Sequence, residues 1–208
     1  MTPYPKLLTA VIHELGKLPG VGPKTAERLA FYLLKLEDEE AYQLSEAIRK
    51  LKAEALFCSI CQNLTELNPC EICADPERDL KTVLVVEQPK DLIAFEKAGI
   101  YHGRYHVLLG HIAPLEGEDL PPLALRNLRD RVKREKLLEI IIATNPTLEG
   151  DGTALYIAKS LEGAPPVKIT RIAKGIASGT TIDYANKAIL FDAFTGRQVI
   201  TIEKRETS

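Results

Sequence analysis

The chain reads as an α/β protein built in pieces. A small helical N-terminal region comes first, then a four-cysteine zinc module, a mostly parallel α/β domain and a C-terminal extension. Three observations predict this. All four cysteines fall in one short stretch, Cys58-x2-Cys61-x8-Cys70-x2-Cys73. Before it, apolar residues recur at helical spacing. After it, short apolar runs alternate with helical patterns, as in parallel sheets with right-handed crossovers.

Composition bounds the partners. The hydrophobic fraction is 45%, that of an ordinary globular protein. Lys+Arg 27 against Asp+Glu 29 gives a net charge of -2, so any nucleic-acid contact has to be a local basic patch. No apolar stretch approaches the ~20 residues of a membrane span. Met1-Thr2-Pro3-Tyr4-Pro5 lacks the charged and apolar regions of a secretory signal, and a cytoplasmic protein is expected.

In the helical region, Leu7, Leu8, Val11, Ile12, Leu15 and Leu18 mark a first helix. A second starts near Pro23, which suits a first helical position, and carries Ala26, Leu29, Ala30, Leu33 and Leu34. A third runs from about 39 to 57. Between the first two lies Leu18-Pro19-Gly20-Val21-Gly22-Pro23-Lys24. Its two glycines permit a tight turn, with Val21 plugging the gap between helices. Backbone N–H groups around Gly20 and Gly22 then face outward at a helix N-terminus, a phosphate site, and Lys24 and Arg28 add charge on one face. The plain alternative is a turn in a helical hairpin. A nucleotide-binding P-loop is excluded: Pro23 stands where glycine must precede the lysine, and the flanks are helical.

Two Cys-x2-Cys pairs place four thiolates around one tetrahedral Zn2+. Four sulfurs fill the shell and leave no position for a catalytic water, so the site is structural. Disulfides, or thiols packed as small hydrophobes, are the competing readings. The loop between the pairs holds no Lys or Arg, and Glu71 adds negative charge, so the module reads as a joint and not as a phosphate-facing surface.

In the α/β region, strands are expected at 82–86, 105–109, 139–144 and 167–172. Helices are expected at 89–98, 123–136 and 153–161. Functional groups on such sheets sit beyond the carboxyl ends of the strands. Glu87 follows the first strand, and Glu149-Gly150-Asp151 lies in the loop after the third. Three converging carboxylates there suit Mg2+. Equally, acids stabilise a helix N-terminus, and Glu87 suits a solvated strand end. His106 and His111 read as structural.

The glycine loop with its lysine resembles a helix-hairpin-helix motif, which grips the DNA backbone. The order of strand, Glu87, later strand and Glu149-Gly-Asp151 resembles a Toprim domain. Together with the four cysteines, Asp75-Pro-Glu-Arg-Asp79, Thr170-Arg-Ile-Ala173 and Gly196-Arg197, this resembles the RecR family of bacterial recombination mediators from about residue 5 to 200. The resemblance implies a helix-hairpin-helix region over 1–57, a C4 zinc finger over 58–73, a Toprim domain over 80–175 and an oligomerisation segment over 176–208. It implies no catalysis. It implies a ring-like tetramer that clamps single- and double-stranded DNA and acts with RecO, and in many bacteria RecF, to load RecA at the nucleoid. Gly20, Gly22, Lys24 and Arg28 then contact DNA, and Glu87, Glu149 and Asp151 form an acidic patch facing RecO.

Departures lie in the C-terminal half. Ala177, Thr180, Asp183 and Asn186 stand where the family has Pro, Gly, Glu and Asp, and partner contacts and assembly are where these changes bear. Ala188-Ile189-Leu190-Phe191-Asp192 reads as core-facing structure. The tail from Gln198 to Ser208 reads as an edge strand or an arm exchanged between subunits. Two rival functions remain: an Mg2+-dependent Toprim nuclease or primase-like enzyme, and a scaffold that never touches DNA.

Overall fold

The structure is a computed structural model and describes residues 4–113 and 120–199. The chain divides into two compact units after Ala55.

The N-terminal unit holds α1 (Lys6–Leu15), α2 (Pro23–Leu33) and α3 (Asp38–Glu54). α1 packs on α2, and only Ala26 and Ala30 of the unit's described residues are buried. Tyr4 seals one side: its ring stands edge-on to Phe31 at 5.5 Å, and its hydroxyl donates to Glu27 at 2.6 Å. α3 opens on Asp38, Glu39 and Glu40, which suit the positive end of its dipole. It stops at Glu54, short of the expected residue 57, because Leu56–Phe57 leaves as β1 and pairs antiparallel with β2 (Leu64–Thr65).

The second unit begins with that ribbon. α4 (Glu71–Ala74) carries the last cysteine. The polar segment 75–79 is more than a hinge. Arg78 is largely buried and joins Glu96 at 2.5 Å and Asp75 at 3.5 Å. The Glu96 hydrogen bond holds the Arg78 pKa above its ordinary value, and the Arg78 hydrogen bond in turn holds Glu96 low.

A four-stranded sheet follows, formed by β3 (Asp79–Val86), β4 (Gly103–Val107), β5 (Glu139–Ile142) and β6 (Lys168–Arg171). The order is β4-β3-β5-β6, all parallel, as the alternation predicted. The helices are α5 (Pro89–Ala98), α6 (Pro122–Glu135), α7 (Leu148–Ser160) and α8 (Lys187–Thr195). One face of the sheet buries Val83, Val85, Ile140 and Ile142 against Leu128, Val132, Ala154 and Ile157. The other buries Leu84, Val86, Tyr105 and Val107 against Leu92. Both faces are covered, which is why β3 reads as an unbroken apolar run.

Two expectations are corrected. α7 begins at Leu148, not Thr153, because the Thr147 hydroxyl caps it by accepting from Gly150 N–H at 3.1 Å. Glu149 and Asp151 therefore stand in its first turn and not in a loop. The run Ala188–Asp192 lies in α8, which buries none of its residues; Phe191 and Phe194 are exposed. It is not core. Of the tail expected as an edge strand or arm, 200–208 lies outside the described residues.

Candidate functional site

The cysteine centre is assembled by two turns. Cys58 and Cys61 flank a tight knuckle in which Gln62 N–H bonds the Cys58 carbonyl at 2.8 Å, with Gln62 at φ 63°. Cys70 and Cys73 sit at the start of α4 and in it. All four thiols are free and buried, and their sulfurs lie within 4.8 Å of one another. Cys61 Sγ and Cys70 Sγ are 3.6 Å apart. A tetrahedral zinc–thiolate shell with ~2.3 Å bonds spaces its sulfurs by about 3.8 Å, so the cluster has the size of the ion. Asn63 N–H points at Cys61 Sγ and Cys70 N–H at Cys58 Sγ, both at 3.4 Å, the donors a thiolate wants. Without a cation the sulfurs cannot all ionise. Hydrogen bonds from Cys61 and Cys73 hold the Cys70 thiol low, while those same contacts with Cys70 and Cys73 push Cys61 up. A divalent cation removes that conflict. The chain's zinc is structural: four sulfurs leave no open ligand position. Val107 N–H donates to the Cys61 carbonyl at 2.8 Å and Arg104 Nη2 to the Cys73 carbonyl at 2.8 Å, so the knuckle is docked on β4.

In the N-terminal unit the glycine loop opens α2. Gly20 has φ +79°, a conformation in which a side chain is strained. Gly22 has φ -79°, which any residue adopts; it serves as the N-cap without a side chain. α2 therefore has no side-chain cap and no acid in its first turn. The N–H groups there lack intrahelical acceptors, and Lys24 and Arg28 are exposed beside them. Val21 is half-buried and its N–H bonds the Leu18 carbonyl at 3.0 Å, closing the turn.

The acidic residues of the sheet unit behave differently from one another. Glu87 is buried; Asn145 N–H donates to its Oε1 at 2.8 Å and Asn145 Nδ2 to its Oε2 at 2.6 Å. His111 Nδ1 lies 3.9 Å from the same carboxylate. Burial opposes the charge on Asp151, but Lys174 and Arg171, each at 2.6 Å, outweigh it and hold its pKa below the ordinary range. Glu149 is half-exposed and is held low first by its own backbone N–H. Among the described residues, the cysteines are the one group of three or more potential ligands gathered at metal distance. The expected convergence of Glu87, Glu149 and Asp151 for Mg2+ is not present, because Asp151 turns to two cations and Glu87 to Asn145. Sequence reasoning missed Asn145, Arg171 and Lys174. Their positions, Arg171 as the last residue of β6 and Asn145 and Lys174 just past the ends of β5 and β6, were the available signal. His106 is fully buried, with Nε2 2.9 Å from the Ala124 carbonyl, and burial lowers its pKa to about 3.

Family models match three segments: a RecR helix-hairpin-helix over 8–52, a RecR four-cysteine zinc finger over 56–75 and a Toprim domain over 81–173. Recombination protein RecR of Rhodopirellula baltica is 48% identical over 198 residues, covering 95% of this chain and 99% of that one. The Moorella thermoacetica protein of the same name is 46% identical over 194 residues, 93% and 97% of the two chains. That of Ligilactobacillus salivarius is 44% identical over 198 residues, 95% and 99%. With near full-length identity and all three segments in order, the chain belongs to the RecR family of recombination proteins.

Proposed function

We propose that the protein is a non-enzymatic recombination mediator. It binds DNA through the glycine loop, assembles into a ring-like tetramer, and acts with RecO, and RecF where present, to load RecA on single strands at the nucleoid. The observation that carries the DNA contact is the start of α2: a helix N-terminus with no side-chain cap, no first-turn acid, and Lys24 and Arg28 exposed beside it. An oxygen-rich anion satisfies those N–H groups as a side-chain cap would. Neither glycine nor lysine there reads a base, so binding is sequence-independent.

Assembly is supported by the apolar surface. The N-terminal unit leaves Leu7, Tyr42, Ile48 and Leu51 exposed while burying, among its described residues, only two alanines, and α8 exposes Phe191 and Phe194. Surfaces of that kind mark protein contacts. We assign 176–208 to assembly on the same ground. The absence of catalysis is supported by the ion pairs on Asp151 and the Asn145 hydrogen bonds on buried Glu87, which leave the three carboxylates no shared cation site. A partner surface suits these acids better.

The test is DNA binding across salt. Each lost phosphate contact lowers the salt slope by about 0.7 on a single strand, so Lys24→Ala/Arg28→Ala lowers it by roughly 1.4 on every sequence. Unchanged binding refutes the loop's role. Strand cleavage with Mg2+ that vanishes in Glu87→Gln refutes the non-enzymatic reading.

A further inference from the structure

α6 carries charge in a way no other described long helix does. α3 mixes signs, and its exposed Arg49 is paired with Glu46 at 2.7 Å, as on ordinary solvated faces. α6 exposes Arg126, Arg129 and Lys133, and Lys136 follows as its left-handed C-cap. At 3.6 residues per turn the first three fall within an arc of about 60°, and the four span about 15 Å of axis. The opposite face is Ala124, Leu128 and Val132 in the core. The helix's one interior acid, Asp130, borders the stripe, and Glu135 is turned to Arg131 at 3.1 Å. None of Arg126, Arg129, Lys133 or Lys136 has an ion pair among the described residues. Lys81 extends the field: its Nζ donates to the Glu135 carbonyl at 3.1 Å, beside the helix end.

Helix electrostatics account for part of this. Lys81, Lys133 and Lys136 lie at the negative end of the dipole and stabilise it. Arg126 and Arg129 do not; Arg126 is in the N-terminal half, and the first turn has no acid to offset it. In a chain of net charge -2, this is a local excess placed against the helix's own preference.

We propose that the exposed face of α6 is a second nucleic-acid contact, binding the phosphodiester backbone independently of the glycine loop. Fifteen ångströms of duplex presents about nine phosphates, enough to engage every cation of the stripe. Arginine pairs with phosphate in a bidentate fork. α6 has no aromatic residue, so bases are not stacked and sequence is not read. The proposal extends the DNA reading to a surface in the sheet unit and shares with it only the ligand class.

The experiment compares the zinc-loaded full chain with Arg126→Gln/Arg129→Gln/Lys133→Gln, using labelled oligothymidine. Removing three contacts lowers the single-strand salt slope by about 2, so the affinity lost between about 50 and 200 mM salt shrinks roughly 20-fold. A charge-retaining Arg126→Lys/Arg129→Lys variant keeps the parent slope. All substituted side chains are exposed, and an unchanged thermal transition confirms the fold. The Lys24→Ala/Arg28→Ala variant runs in parallel. If only the α6 variant loses slope, this surface stands and the loop reading fails; if only the loop variant does, this proposal is overturned. Absence of DNA binding by the parent protein overturns it, as does an α6 variant that loses polyglutamate binding while keeping its DNA slope.

Discussion

Gly150→Ala disturbs the acidic end of the sheet through one methyl group. A Cβ at this position falls inside hard-contact distance of the Asn145 carbonyl oxygen, 3.0 Å from the carbonyl carbon and 3.0 Å from Glu87 Oε1. Neither the first turn of α7 nor the strand end after β5 has room to move without effect. Asn145 supplies both hydrogen bonds to buried Glu87, through its N–H and its side chain. Overpacking costs about 1–3 kcal/mol, and weakening a hydrogen bond to a charged group costs about 1.5–3 kcal/mol. The gain in helix propensity returns about 1 kcal/mol. The net is roughly 2–5 kcal/mol, a fall in melting temperature of roughly 4–20 °C for a chain of this size. Gly152→Ala is the matched control: it lies in the same helix, and its Cβ meets nothing within 4 Å. It gains about 1 kcal/mol and about 2–4 °C. Calorimetry of both variants with zinc bound reads the difference. Equal shifts, or a Gly150→Ala protein as stable as its parent, refute the close-packed account of Glu87.

Chelating the metal releases one zinc per chain and raises hydrogen exchange at Val107 N–H, which is bonded to the Cys61 carbonyl; unchanged protection of Val107 would mean the knuckle holds its place without metal. The buried His106 gives the protein an acid limb. Its folded pKa, lowered to about 3, lies below the unfolded value of about 6.5, so its contribution is present above about 6.5 and is lost as pH falls towards 3, at up to about 1.4 kcal/mol per unit. Arg131 and Glu135 are the charges that act on it. His106→Gln, which can still donate to the Ala124 carbonyl, flattens that limb in urea unfolding followed from pH 7 to 4 (about the carboxylate range); a retained slope assigns it to other groups. The loop and α6 variants complete the set.

What the sequence revealed depended on how locally each feature is encoded. The cysteine spacing carries its own geometry, and a cluster of four buried sulfurs followed from it. β3 was legible because both its faces are buried. Of the two glycines read as permitting the turn, Gly20 is the one whose backbone requires glycine; at Gly22, φ -79° asks for none. Long-range partnerships were silent. Asn145 reaches Glu87 across 58 positions, and Lys174 reaches Asp151 across 23. Nothing in the run Ala188–Asp192 distinguishes a helix turned to its own core from one left exposed, and α8 is the latter. Arg131 was one cation among many on a charged helix. Its full burial, with Nη1 on the Tyr105 carbonyl at 2.6 Å, depends on where α6 meets the sheet.

That carbonyl belongs to a larger pattern. β4 pairs only with β3, and Leu108 N–H turns inward to the Val86 carbonyl, so alternation aims the main-chain groups of Gly103, Tyr105 and Val107 away from the sheet. One group of each has a partner: Arg78 on the Gly103 carbonyl at 3.4 Å, Arg131 on that of Tyr105, and the Cys61 carbonyl on Val107 N–H. A bare strand border is a template on which another chain can add. Here two arginines and a metal-held turn occupy it. Stripping the zinc therefore uncovers a place where one copy can stitch to the next, and the metal-free protein should be lost first to aggregation.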